Sequence, residues 1–164
     1  MPRWIPACLL PLLLAGCGPY DVKVNERVVF SPRPLFSDFE LADPALRTCV
    51  EQAITDGKVT AAPELEVLDC SHAGINDLAG LGVFTGITRL KLSSNNIRNL
   101  VELSRLSLMQ ALYLDGNAVV DPVPLFDLPA LQVLDLSGNT ALQCPASSAL
   151  LKVETLTLPG HCAR

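Results

Sequence analysis

Aromatic side chains are scarce in this chain of 164 residues, with one Trp, two Tyr and five Phe. No stretch is dense enough in them to look like a partner hot spot. Basic residues are few as well: twelve Lys and Arg stand against seventeen Asp and Glu, for a net charge of −5. No two are adjacent, which argues against sequence-independent nucleic-acid binding, where clustered cations neutralise phosphates. No apolar stretch reaches the ~20 residues that a membrane-spanning helix needs. There are two histidines and no close C-x-x-C pair, so structural zinc is disfavoured. No nucleophile with a base at usable spacing and no phosphate cradle is found, so no enzyme and no cofactor are expected. What the chain does have is apolar residues, 49% of the total and dominated by Leu. Where they fall is the informative question.

They fall in two places. The first is residues 1–17, MPRWIPACLLPLLLAGC, where Arg3 precedes an apolar stretch from Trp4 to Leu14 and the small pair Ala15, Gly16. This is a secretory signal pattern, interrupted by Pro6 and Pro11 and too short to persist as a span. Leu14, Ala15, Gly16 and Cys17 resemble the lipobox of bacterial lipoproteins. The resemblance implies cleavage after residue 16 and a lipidated Cys17, hence a lipid-anchored protein of the bacterial cell envelope. With Gly18 rather than Asp next in line, it implies the outer membrane. Several acyl chains on one cysteine give firm anchoring, since each buried methylene adds about 0.8 kcal/mol.

The second place is periodic. A template with apolar residues at positions 1, 4, 6 and 11 and Asn at 9 starts at Leu65, Ile87, Met109, Leu131 and Val153, each 22 residues after the last. Inward positions 4 and 6 are Leu68 and Cys70, Leu90 and Leu92, Leu112 and Leu114, Leu134 and Leu136, then Leu156 and Leu158. Position 11 is Ile75, Ile97, Val119 and Ala141, and position 9 is Asn95, Asn117 and Asn139 in the inner copies. This resembles the leucine-rich repeat in its short, internalin-like form, covering residues 65–164 as four full copies and one truncated copy. The expected fold is an α/β leucine-rich repeat solenoid: a short parallel sheet on the concave face, a 3₁₀ or irregular convex side and an N-terminal helical cap. Leu78, Leu81 and Phe84 and their equivalents at spacing three suit 3₁₀ turns on the return side. The three asparagines would form an inward column that satisfies turn backbone groups.

Before the first copy, Asp43 and Pro44 read as N-cap and first helical residue, and Ala45, Leu46, Cys49, Val50, Ala53 and Ile54 keep helical spacing until Asp56 and Gly57. Residues 43–64 are therefore read as the cap and 17–42 as a tether with room for a short strand around Val28, Val29 and Phe30. Four cysteines remain in an oxidising compartment once Cys8 and Cys17 are set aside, an even number suggesting two disulfides. Neighbourhood favours Cys49 with Cys70 and Cys144 with Cys162 over the crossed pairings.

Outward positions 3, 5 and 7 leave a mixed surface. Arg89 and Lys91 form its basic spot, Asp69, Asp115 and Asp135 flank it, and Tyr113 is its aromatic candidate. Five strands at about 4.8 Å span roughly 20 Å. In leucine-rich repeat proteins this face commonly binds a protein, so the resemblance implies a non-enzymatic envelope lipoprotein with an unidentified protein partner. The alternative is a structural spacer or an inhibitor of an envelope enzyme.

Overall fold

A computed structural model of the chain describes residues 21–31, 33–146, 149–150 and 152–162. The signal stretch and Cys17 lie outside the described residues. Two compact units are present, Met1–Pro34 and Leu35–Arg164. In the first, β1 (Val22–Val24) pairs antiparallel with β2 (Arg27–Phe30). Asn25 and Asn25's neighbour Glu26 turn the chain with φ of 50° and 65°, the left-handed pair that a tight hairpin requires.

The second unit is built on the 22-residue period. Strands β3 (Val67–Asp69), β4 (Arg89–Lys91), β5 (Ala111–Tyr113), β6 (Val133–Asp135) and β7 (Thr155–Thr157) form one sheet in sequence order, all parallel. Leu68, Leu90, Leu112, Leu134 and Leu156 are register partners in turn. The carbonyl at position 2 of a copy, one residue before its strand, ties neighbouring copies together: Thr88 oxygen accepts from both Gln110 and Ala111 N–H, and Gln110 oxygen from both Gln132 and Val133 N–H. Return segments carry short 3₁₀ turns at Leu81–Val83, Val101–Arg105 and Val123–Leu125. Between sheet and turns lies the core, in which Leu78, Leu81 and Phe84, Leu100, Leu103 and Leu106, and Leu125 and Leu128 are all buried. Each fully buried Leu contributes about 1.5–3 kcal/mol of transfer free energy.

The N-terminal end is closed by α1 (Pro44–Gly57), which buries Leu46, Val50 and Ile54, one turn apart, against the first copy. One Asp43 carboxylate oxygen accepts from Ala45 and Leu46 N–H, capping the helix, while the other accepts from Asn76 and Asp77 N–H. A single side chain therefore joins the cap to the first repeat turn. The helix ends at Gly57, as Asp56 and Gly57 suggest, and it is Lys58, at φ 51°, that takes the left-handed position and donates to Ile54 and Thr55 carbonyls.

Residues 35–42, read from sequence as part of the tether, instead belong to the unit Leu35–Arg164 and pack on this end. Leu41 is buried, Phe36 N–H donates to Val59 oxygen, and Phe36, Phe39 and Phe84 form a ring cluster with centroids 5.3–6.0 Å apart. Three of the five phenylalanines thus serve one contact.

The C-terminal end differs from the template in three places. Ala141, expected inward, is exposed, and Leu142 takes the buried place one residue on. Leu156 is 38% exposed, although its partners in the four preceding strands are at most 1% exposed. Pro159, expected on the outward face, is buried. The second follows from β7 having no following strand among the described residues to cover it. Disulfides join Cys49 to Cys70 and Cys144 to Cys162, with Cα atoms 5.9 and 5.3 Å apart.

Candidate functional site

Because side chains alternate along a strand, burying positions 4 and 6 turns positions 3, 5 and 7 to solvent. The sheet lays these out as columns. Position 3 reads Val67, Arg89, Ala111, Val133, Thr155, and position 5 reads Asp69, Lys91, Tyr113, Asp135, Thr157. Val67, Asp69, Arg89 and Lys91 are exposed, Tyr113, Asp115 and Asp135 half-buried, and Ala111 buried. The six candidate residues Asp69, Arg89, Lys91, Tyr113, Asp115 and Asp135 therefore lie on one face.

Their charges are not equivalent. Lys91 Nζ sits 3.3 Å from Asp69 Oδ2, an exposed pair that contributes little stability in water. The Asp69 carboxyl is held below its ordinary range, chiefly because the Ser71 hydroxyl donates to it, with Ser71 N–H and Lys91 adding to the effect against a smaller desolvation penalty. Ser93 Oγ donates to Asp115, and Ser137 N–H to Asp135. All three acids are thus held in place by a serine at position 7. Arg89 differs from Lys91: among the described residues it has no acid within ion-pair distance. Beside it lies a hollow of about 130 Å³ lined by Thr88, Arg89, Gln110, Ala111, Gln132 and Val133. Sequence spacing marks the cation but not the hollow, whose signal is the lone Ala in the position-3 column.

Beneath the face, the asparagine column fixes the turns that follow each strand. Asn95, Asn117 and Asn139 accept at Oδ1 from Ile75, Ile97 and Val119 N–H. Their Nδ2 groups donate to two carbonyls each: Cys70 and Leu92, Leu92 and Leu114, Leu114 and Leu136. Asn139 is fully buried and Asn117 nearly so, while Asn95 is half-buried. Position 8, just before this column, is left-handed in all four full copies, at His72, Ser94, Gly116 and Gly138. Gly116 and Gly138 already show that requirement in the sequence. A side chain on Gly138 would also run into the Gly116 backbone, with its Cβ 2.9 Å from that nitrogen.

His72 and His161 are both exposed and four copies apart. His161 does not continue the column; its Nε2 is 3.0 Å from the Leu142 carbonyl. One donor atom each from Cys144, His161 and Cys162 come within 4.8 Å of one another. Both sulfurs are committed to the disulfide, and a cysteine ligates metal as thiolate, so this cluster offers no metal centre as it stands. No helix among the described residues is long and apolar enough to cross a membrane.

Among solved structures, the chain is similar to internalin C2 from Listeria monocytogenes, at TM-score 0.61 and 23% identity over 70% of this chain and 53% of that one. An internalin, inlF, from the same organism matches at TM-score 0.62 and 23% identity over 73% of this chain and 37% of that one. This chain therefore spans about half and about a third of the length of those two proteins. At this identity the likeness is one of fold: a leucine-rich repeat solenoid. No curated protein shows significant similarity to the chain. Residues 41–157, from the Leu41 anchor through the end of β7, match the family model described as the Endo-beta-N-acetylglucosaminidase EndoS LRR domain, and the chain belongs to that leucine-rich repeat family.

Proposed function

We propose that the concave sheet face binds a partner protein and that the chain is presented in the bacterial envelope by a lipid on Cys17. The observation that carries the first part is a contrast within the repeat. Inward positions hold Leu in copy after copy, whereas position 5 changes from Asp69 to Lys91, Tyr113, Asp135 and Thr157. A regular scaffold with a non-repeating face suits recognition, in which specificity rests on a few well-placed groups. The internalin-like fold supports this reading.

Two disulfides support an oxidising, extracytoplasmic compartment. The lipobox-like residues 14–17 support anchoring, with the outer membrane favoured by Gly18. In this reading the protein is a binding module without catalytic activity and needs no cofactor. Reversing both charges, Arg89→Glu with Lys91→Glu, should abolish capture of the native partner from envelope extract without changing the melting temperature. Unchanged capture removes this face as the site. Replacing Cys17 by Ser should release the protein from the membrane fraction, and continued membrane association overturns the anchor.

A further inference from the structure

The hollow at Arg89 gives the face a chemistry. It exists because position 3 of β5 is Ala111, a single methyl between the long Arg89 on β4 and the branched Val133 on β6. About 130 Å³ holds roughly four waters at bulk density, enough for a carboxylate and the methylene that carries it. The residues at its side, Gln110 and Gln132, are exposed, and both bring amide donors. The Thr88 hydroxyl is already spent on the Glu66 carbonyl. No acid lines the hollow, and no acid pairs with Arg89 among the described residues, whereas the neighbouring Lys91 is neutralised by Asp69. A guanidinium presents a planar fork of donors that matches a carboxylate.

We propose that this hollow receives one aspartate or glutamate side chain from an acidic position in a partner protein, with Arg89 as the clamp, Gln110 and Gln132 as further donors, and Ala111 and Val133 against the methylene. The proposal rests on the reading of this face as a protein-binding surface and names what it would bind. The surroundings also limit the partner. Asp135 lies in the adjoining position-5 column and Asp115 in the position-7 column beyond it, and Glu66 and Glu154 stand at the two ends of the position-2 row. A run of acids would be repelled there, so the fitting segment carries a single acid with basic residues beside it.

The test is an amide NMR titration of the disulfide-intact chain at low salt. Its probe is a short acetylated and amidated Gly/Ser peptide carrying one glutamate flanked by lysines, compared with the same peptide carrying glutamine. Shifts are expected around Thr88, Arg89, Ala111 and Val133. Affinity should fall about tenfold for the glutamine peptide, for Arg89→Gln and for Ala111→Leu, which fills the hollow. Arg98→Gln, a charge removed from an exposed residue off the strands, should leave affinity within about twofold. Circular dichroism melts check that Ala111→Leu folds, and Arg89→Gln alone decides the matter if it does not.

Equal binding of the two peptides, or wild-type affinity in Arg89→Gln, overturns the proposal. If no peptide binds but reversal of Arg89 and Lys91 still abolishes capture of the native partner, the carboxylate receptor falls and the binding face stands. If neither responds, both fall.

Discussion

The two ends of the solenoid solve the same problem with different means. At the N-terminal end, α1, Leu41 and the ring cluster of Phe36, Phe39 and Phe84 cover the first copy, and Cys70 of the bridge there is 2% exposed. At the C-terminal end β7 is exposed along its length, Leu156 included, and the bridge from Cys144 is open to solvent on one side. One end is covered by packing reinforced with a crosslink; at the other, Leu142 and Leu150 are buried but the packing stops short of β7, and a crosslink supplements it. A disulfide restricts the unfolded chain but covers no apolar surface, so it holds an end in place without closing it.

The sharpest way to break this contrast is to cut the same residue type from each end. Leu46→Ala should destabilise by about 2–5 kcal/mol, as a buried Leu does, while Leu156→Ala should lose less than about 1 kcal/mol. Urea denaturation measures both, and equal losses would mean that the C-terminal end is packed after all. Removing either disulfide should cost about 3 kcal/mol by loop closure, since the two span 21 and 18 residues. Access separates them: under a limiting dithiol, alkylation and mass spectrometry should find Cys144 and Cys162 labelled first. Labelling of Cys49 and Cys70 first would reverse the assignment of the ends.

The interior of the asparagine column and its edge differ in burial, and so should their responses to truncation. Asn139→Ala should lose about 1–3 kcal/mol by orphaning buried backbone groups. Asn95→Ala should lose less, because water reaches that site.

The smallest effect tests Asp43. Burial by itself would raise its carboxyl, but the donors from Asn76, Leu46, Asp77 and Ala45 together bring it below the ordinary 3.8. A carboxyl whose folded value is depressed adds stability that is complete above its unfolded value and disappears as pH falls through the folded one. Asp43→Ala should therefore cost about 0.5–2 kcal/mol at neutral pH, in the range of a lost N-cap. Its stability difference from wild type should shrink below pH ~4, where the unfolded carboxyl takes up its proton. A difference that stays constant down to pH ~2, as thermal melts would show, removes the carboxylate from this role.

These same regions separate what spacing reveals from what it does not. The strand starts, the register of Leu68 through Leu156 and the asparagine column are visible in the sequence because burial imposes one environment every 22 residues. Outside that repetition the signal fails. Phe36, Phe39 and Leu41 have no periodic partner: Leu41 is buried outside the count, and the half-buried Phe36 and Phe39 make ring contacts with Phe84, more than forty residues away. Ala141 keeps its place in the count while Leu142 enters the core, because counting cannot register a turn that changes shape. Leu156 matches the template but lacks a neighbour, and a template records composition without recording who stands alongside. On the sheet face, residue identity shows which groups point outward. The hollow beside Arg89 emerges only when Gln110, Ala111, Gln132 and Val133 are set side by side.

The asparagine column also couples each copy to the next. Leu92 and Leu114 carbonyls each accept from two successive asparagines, so every copy holds a bond that belongs partly to the next. If the fourth copy opens, Asn139 leaves with it, and Val119 N–H inside the third copy loses its acceptor. Loss therefore passes inward one copy at a time, as in a one-dimensional chain of coupled units. Amide exchange should then rise in steps from the helix toward β7, and the molecule should unzip from its uncovered end while the capped end is still native.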